Sequence, residues 1–144
     1  MIALSAPNLT ICGSHVGVSI GEDGASQMGL EDIALFRSLP NSIIFYPSDA
    51  ISTEKLINLA SNINGLKYIR TTRSITPIIY NDSETFSLGD FKILKQSSQD
   101  KAVLIGAGIT LHESLKTYEI LKEQNISTAI IDLYCVKPLK TPKL

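Results

Sequence analysis

The sequence has few cysteines and no excess of charge of either sign. Its two cysteines, Cys12 and Cys135, match no metal-ligand spacing, and its 13 basic and 14 acidic residues leave a net charge of −1. Such cysteines favour reduced thiols that pack in strands over a disulfide scaffold or a zinc finger. A nearly neutral chain gives no electrostatic reason to expect nucleic acid or an anionic membrane as a partner.

Long hydrophobic runs are also absent. The longest mostly apolar run covers residues 102–111, whereas a membrane-spanning helix needs about 20 such residues. The first four residues carry no basic side chain, and Pro7 ends their apolar character, so no signal peptide is recognisable. We therefore expect a cytoplasmic protein without a membrane anchor.

The apolar pattern alternates between short β-rich runs and helical periods, which is typical of an α/β fold. We predict helices near 30–37, 49–63 and 110–121, and strands at 9–12, 42–46, 66–71, 91–94, 102–105 and 129–133. Strands that alternate with helices in this order predict parallel sheets.

Helix boundaries are predicted from capping patterns. Asp49 can cap the start of the second helix, and Gly65 fits the left-handed position just after its end. Thr110 and Glu113 have the spacing of a capping box at the start of the third helix. His112 lies beside the inner face of that helix, and we predict a surface or boundary position for it.

The chain divides at a segment rich in turn residues, 74–87. We predict two units, residues 1–75 and 88–144, joined by a linker at 76–87. Each unit is short for a domain and leaves sheet edges uncovered. We therefore expect a segment of a larger protein or a chain that needs a partner; the alternative is a small, complete α/β domain.

A glycine-rich loop follows the first predicted strand. Glycines at 13, 17, 21 and 24 surround His15, Glu22 and Asp23. Ligand sites in open α/β sheets form beyond the carboxyl ends of strands, and glycines let the backbone approach a ligand closely. The loop is therefore a candidate binding site, although Asp-Gly sequences are also common in simple turns.

Residues 14–28, Ser-His-Val-Gly-Val-Ser-Ile-Gly-Glu-Asp-Gly-Ala-Ser-Gln-Met, resemble the substrate-channel loop of the transketolase family, and of its animal-type members most closely. The resemblance continues at 30–32, 45–49, 53–55, 69–73, 78–81, 105–108, 110–113 and 137–139. It implies that residues 1–75 are the latter part of a pyrimidine-binding domain with a parallel sheet. Residues 88–144 would begin the α/β C-terminal domain.

This resemblance implies an activity of the pentose phosphate pathway. A two-carbon ketol unit would pass from a ketose phosphate to an aldose phosphate. The cofactor would be thiamine diphosphate with a divalent metal, Mg or Ca, and the cofactor would carry out the carbon–carbon chemistry. The full-length enzyme would be a homodimer, because in this family the active site lies between two subunits.

Site residues are implied at matching positions. His15 resembles a residue at the phosphate end of the substrate, and Asp23 resembles the carboxylate that accepts a hydrogen bond from a substrate hydroxyl. Arg73 resembles the phosphate-binding arginine, whose guanidinium matches phosphate geometry, although Arg70 is a nearby competitor for that role. Gln27 resembles a residue near the cofactor, which is His in yeast and bacterial enzymes.

The sequence departs from the family pattern at Ala25, where proline is usual, and at residues 74–76. The resemblance assigns no catalytic residue and no metal ligand to this chain, because the family's metal motif and its cofactor-activating glutamate lie in an upstream region. We therefore expect no ketol transfer by the chain alone. One alternative is a non-catalytic module that binds sugar phosphate or pairs with a full-length subunit.

A second alternative is a nucleotide-binding unit built on Gly106 and Gly108. The dinucleotide fingerprint is broken, because Leu111 stands at the third glycine position. Asp132 ends the next predicted strand, as a ribose-binding carboxylate would.

Overall fold

Two sheets organise the chain. In the computed structural model, which describes residues 5, 7–18 and 20–140, the strands are β1 (Leu9–Gly13), β2 (Ile43–Phe45), β3 (Leu66–Arg70), β4 (Lys92–Lys95), β5 (Ala102–Gly106), β6 (Thr128–Asp132) and β7 (Cys135–Lys137). The helices are α1 (Asp32–Ser38), α2 (Ala50–Ser61) and α3 (Ile109–Glu123). Residues 1–4 lie outside the described residues. So does residue 144, the predicted end of the second unit.

The first sheet has the strand order β1-β3-β2-β7. Strand β3 pairs in parallel with β1 on one side and with β2 on the other. Every residue of β2 and β3 is buried, as expected for parallel strands covered on both faces. Leu56 and Ala60 of α2 pack on this sheet, and full burial of a leucine contributes roughly 1.5–3 kcal/mol. The predicted α/β fold with a parallel sheet is confirmed.

Strand β7 was not predicted, and it joins the two halves of the chain. It pairs antiparallel with β2, with Phe45 opposite Cys135, and the Tyr46 amide donates to the Tyr134 carbonyl at 2.8 Å. Tyr134 and Cys135 complete the core that Phe45 and Leu56 begin. The two halves therefore share one hydrophobic core.

The second sheet has the strand order β4-β6-β5. Strands β5 and β6 are parallel and are linked through α3 as one βαβ unit, whereas β4 is antiparallel to β6. Leu111 of α3 and Ile130 of β6 are fully buried. Ile93, Val103 and Ile105 are exposed, so apolar side chains of this sheet remain in contact with solvent.

The helix caps test the boundary predictions. Asp49 caps α2, because its side chain accepts a hydrogen bond from the Ser52 amide. Gly65 does not follow the helix end: α2 ends at Ser61, and Gly65, with φ of 122°, lies in the turn into β3. The prediction of a capping box at Thr110 is also wrong, because α3 begins earlier, at Ile109, and its N-cap is Gly108.

The turn into α3 explains that earlier start. A Cβ on Gly108 would lie 2.0 Å from the Tyr46 ring, and Gly108 has φ of 55°. A residue without a side chain therefore lets the helix begin against the first sheet. Thr110 instead uses its hydroxyl on the backbone of Ala107, at 2.9 Å to both the amide and the carbonyl.

The two thiols have different environments. Cys135 is buried, as predicted for a strand-packing thiol, whereas Cys12 is exposed. The prediction for Cys12 is wrong because β1 is an edge strand of the first sheet, and part of its surface faces solvent.

Candidate functional site

The loop that follows β1 covers residues 14–31 and is closed at its base. Val16 forms a bridge with Gly29, and the Gly17 amide donates to the Gly29 carbonyl at 2.9 Å. We call Val16, Gly17 and Gly29 the neck of the 14–31 loop. The Val16 amide also donates to the Thr71 carbonyl at 3.3 Å, and the Thr71 amide donates to Gly13 at 2.8 Å. The loop is thereby attached to the carboxyl ends of β1 and β3.

A largely enclosed ion pair lies beside the neck. Arg70 Nε donates to Asp32 Oδ2 at 2.7 Å, and Arg70 Nη2 reaches Asp32 Oδ1 at 3.2 Å and the Gly29 carbonyl at 3.3 Å. The Arg70 guanidinium lies 4.6 Å from the centre of the Tyr46 ring, and the Tyr68 hydroxyl donates to Asp32 at 2.7 Å. Arg70 is therefore held by internal partners.

These contacts lower the pKa of the Asp32 carboxylate. Burial alone raises the pKa of Asp32, but hydrogen bonds from Arg70 and Tyr68 outweigh it and hold that pKa below its ordinary value. Asp32 is therefore ionised at neutral pH and faces a charged guanidinium. Charge-assisted hydrogen bonds of this kind contribute about 1.5–3 kcal/mol each.

Arg73 has a more open environment than Arg70. Its Nη1 lies 3.4 Å from Asp23 Oδ2 and donates to the Ile20 carbonyl at 3.3 Å. The Arg73 and Asp23 side chains are 50% and 55% exposed, and exposed pairs contribute only about 0–1 kcal/mol. The structure thus brings two of the predicted site residues together in a contact that is open to solvent.

The other two predicted site residues lie on the same loop. His15 is exposed, its Nδ1 is 2.8 Å from the Ser14 hydroxyl, and its φ is 61°. A left-handed backbone is uncommon for residues other than glycine and often occurs at functional sites. Gln27 is exposed at the end of the 3₁₀ turn Ala25–Gln27. Within the described residues, no hydrogen bond or ion pair joins His15 or Gln27 to the Asp23–Arg73 pair.

A cluster of buried polar residues at the boundary of the two sheets was missed by sequence reasoning. Asp132 is fully buried and accepts hydrogen bonds from the Ser48 hydroxyl at 3.1 Å and the Tyr80 hydroxyl at 2.6 Å. Burial raises its pKa to about 6. We call Ser48, Asp49, Tyr80, His112 and Asp132 the junction cluster.

Asp49 and His112 complete the junction cluster. Asp49 Oδ2 accepts from the amides of Ile79 and Tyr80 at 2.7 and 2.9 Å. His112 Nε2 lies 2.6 Å from the Ser48 carbonyl, and the ring is buried. The prediction of a surface or boundary histidine is therefore wrong, because this part of α3 lies against Ser48 in the segment between β2 and α2.

The nucleotide-binding alternative finds no support in this arrangement. The Asp132 carboxylate is occupied by internal donors and is not available to a ribose. A Cβ on Gly106 would lie 2.6 Å from the Leu111 backbone, so this glycine permits close packing of α3 on β5.

A cavity of about 300 Å³ opens beside the start of α2. Its lining is rich in hydroxyl groups and includes Ser48, Thr53, Thr71, Thr72, Ser74 and Thr76. In the described part of the chain, every buried side-chain nitrogen or oxygen has a partner, and no three metal-binding side chains cluster. The described residues therefore offer no cluster of side chains that fits a resident metal. The same described residues contain no helix long and apolar enough to cross a bilayer.

Two family models match the sequence. The model described as "Transketolase, pyrimidine binding domain" matches residues 1–78, and "Transketolase, C-terminal domain" matches residues 89–143. Among curated proteins, transketolase-like protein 1 of Bos taurus is 56% identical over 139 residues, which is 96% of this chain and 23% of the relative. Human transketolase is 51% identical over 96% of this chain and 22% of its own length.

Solved structures share the fold. A protein described as a split gene transketolase, inactive beta4 tetramer, superposes with a TM-score of 0.83 at 30% identity, covering 94% of this chain and 42% of that one. A Pichia stipitis transketolase in complex with sedoheptulose 7-phosphate superposes with a TM-score of 0.82 at 23% identity, covering 93% and 20%. The chain spans less than a quarter of the length of the curated relatives named above.

Proposed function

The chain belongs to the transketolase family, and we propose that it supplies substrate-binding residues to a transketolase. His15, Asp23 and Arg73 bind the sugar phosphate, and Gln27 lies towards the cofactor. The division into units at 1–75 and 88–144, with a linker at 76–87, is part of the same proposal.

The observation that carries this proposal is the Asp23–Arg73 contact on the 14–31 loop. A guanidinium binds phosphate through two parallel hydrogen bonds. A phosphate on Arg73 displaces Asp23, and the freed carboxylate then accepts a hydrogen bond from a sugar hydroxyl. His15 offers a ring N–H to an anionic oxygen of the same ligand.

The reaction of the whole enzyme is transfer of a two-carbon ketol unit from a ketose phosphate to an aldose phosphate. Thiamine diphosphate, when bound with a divalent metal, supplies the carbon–carbon chemistry. This chain binds and orients the substrate. Because the family's metal motif and its cofactor-activating glutamate match no residues of this chain, we propose that the chain alone is inactive and that a further polypeptide region completes the site. Homodimerisation and a cytoplasmic location belong to the same proposal.

A non-catalytic role is the second candidate. The solved relative described as an inactive tetramer of a split gene transketolase supports a module that assembles without turning over substrate. Such a module would bind sugar phosphate or pair with a full-length subunit.

Calorimetric titration of the chain with xylulose 5-phosphate tests the binding residues. We expect saturable binding that weakens about tenfold or more in Arg73→Ala, since charged hydrogen bonds contribute about 1.5–3 kcal/mol. Lys116→Ala is the control, because it removes an equal charge from the exposed surface of α3. Equal affinities of the wild-type chain and Arg73→Ala would contradict the proposal.

A turnover assay tests the inactivity of the isolated chain, which both candidates expect. The chain is mixed with thiamine diphosphate, magnesium, xylulose 5-phosphate and ribose 5-phosphate, and product formation is followed. Background rates are expected for the chain alone, and turnover above background would refute its inactivity. Addition of a full-length transketolase subunit shows whether the chain pairs with it.

A further inference from the structure

Two arginine contacts hold the 14–31 loop, and they differ in their exposure to solvent. One is the contact of Arg73 with Asp23 and the Ile20 carbonyl, which is half exposed. The other is the Arg70–Asp32 pair beside the neck, whose side chains are only 10% and 14% exposed. Solvent and ligands therefore reach the first contact much more readily than the second.

A bound phosphate competes for the first contact. The same atom, Arg73 Nη1, contacts both Asp23 and the Ile20 carbonyl. When a phosphate takes this donor, the loop loses its attachment at that end. The shape of the binding site then depends on whatever holds the neck.

Arg70 is placed to hold the neck. Its guanidinium contacts Asp32, the first residue of α1, and the Gly29 carbonyl, which also accepts the Gly17 amide. Arg70, the last residue of β3, is thereby linked directly to Gly29 and through its carbonyl to Gly17. None of these hydrogen bonds of Arg70 involves Arg73, although both arginines lie at the same end of β3.

Tyr68, itself held in place by its neighbours, fixes the orientation of Asp32. The Tyr68 hydroxyl donates to Asp32 Oδ2, and the Tyr68 ring stacks on Phe36 with centroids 4.0 Å apart. Gly13 leaves room for this hydroxyl, since a Cβ there would lie 2.3 Å from it. The carboxylate is therefore held in one orientation towards Arg70.

We propose that Asp32 and Arg70 are positioning residues, which keep the neck of the 14–31 loop in its binding shape while a phosphate draws Arg73 away from Asp23. This inference rests on the proposed function for its consequence on affinity. Its structural part concerns the neck alone and is tested separately.

The experiment compares Asp32→Asn, Asp32→Glu and the control Glu113→Gln, which breaks an exposed pair on α3. Amide hydrogen exchange is measured at Val16 and Gly17, with and without saturating xylulose 5-phosphate, and affinity is measured by calorimetry. We expect about tenfold faster exchange at the neck in Asp32→Asn, a similar loss of affinity, and substantial recovery in Asp32→Glu. Glu113→Gln behaves as wild type.

The outcomes are distinguishable. Unchanged neck exchange in Asp32→Asn overturns the positioning role, and so does an equal acceleration at the core strand β6, which would indicate global destabilisation. If Asp32→Asn does not fold, Arg70→Lys replaces it and the same criteria apply. Failure of the wild-type chain to bind xylulose 5-phosphate overturns the proposed function, while neck exchange still decides the structural part.

Discussion

At the scale of single residues, Arg70 and Arg73 show how burial separates two identical side chains. Both arginines lie at the carboxyl end of β3. The sequence alone allows either of them to be the phosphate ligand. The structure gives the buried Arg70 a largely enclosed partner, Asp32, and leaves Arg73 half exposed. The partner lies 38 positions away in sequence, so no local pattern could identify it. The role of Arg73 in binding stays a prediction.

The exposed Asp23–Arg73 pair leads to a prediction for Asp23→Asn. Asp23 contacts the Arg73 guanidinium, to which the proposed function assigns the phosphate. Removing the charge of Asp23 is expected to raise the affinity for inorganic phosphate about two- to fivefold, consistent with about 0–1 kcal/mol for an exposed pair. The preference for xylulose 5-phosphate over inorganic phosphate is expected to fall, because the carboxylate no longer accepts from a sugar hydroxyl.

Calorimetric titrations with both ligands check this prediction. Asp82→Asn, a charge removal at an exposed linker position, is the matched control. A lower phosphate affinity in Asp23→Asn than in Asp82→Asn would contradict competition between Asp23 and phosphate.

At the scale of secondary-structure elements, the sequence predicts those with regular apolar patterns and misses those that depend on distant contacts. Strands β1, β2 and β3 and helices α1 and α2 were found in the correct order. Strand β7 has three residues and no alternation of its own, and it exists because β2, some 90 positions earlier, offers a free edge. The start of α3 was misplaced because Gly108 approaches Tyr46 from the other half of the chain.

The close approach at Gly108 predicts a large effect for Gly108→Ala. The new Cβ would overlap the Tyr46 ring, and overpacking costs about 1–3 kcal/mol. Gly21→Ala is a matched control, since Gly21 has φ of 56° against 55° at Gly108 and has no atom within 4 Å of an added Cβ. Both variants place a side chain on a backbone with positive φ, and only Gly108→Ala adds an overlap with the Tyr46 ring.

Urea unfolding at pH 7 measures both variants. Gly108→Ala is expected to lose about 1–3 kcal/mol more unfolding free energy than Gly21→Ala. Equal losses would show that the Tyr46 ring moves aside without cost.

At the scale of the whole molecule, the two halves form a common structure rather than two separate cores. Tyr134 and Cys135 pack with Phe45, and the junction cluster connects Asp132 of β6 to Ser48 and Tyr80. The α/β class and the family follow from the sequence. The shared core does not, because it depends on residues from both predicted units.

The junction cluster predicts a dependence of stability on pH. The pKa of Asp132 is raised from 3.8 to about 6 in the folded chain, chiefly by burial. The folded state then binds more protons than the unfolded state between these values, so the contribution of Asp132 to stability falls as pH rises from about 4 to about 6. Above that range the charged form costs of the order of 2–3 kcal/mol.

Asp132→Asn tests this dependence, because an amide can still accept from Tyr80 and donate to Ser48. We expect the variant to gain unfolding free energy relative to wild type at pH 7.5 and to show little gain at pH 4.5. Asp49 and His112 also face this site and are unchanged in the variant, so the difference between the two chains reports Asp132. Parallel stability–pH curves from urea unfolding would contradict the prediction.

The unequal thiols make the chain suitable for selective labelling. Burial raises the pKa of Cys135 to about 11, which leaves it protonated and shielded at neutral pH, whereas Cys12 lies exposed on the edge strand. A maleimide dye reacts with thiolates that it can reach and therefore modifies Cys12 first. Because Cys12 immediately precedes Gly13 and the 14–31 loop, the fluorescence of such a dye would report ligand-induced changes without any engineered cysteine.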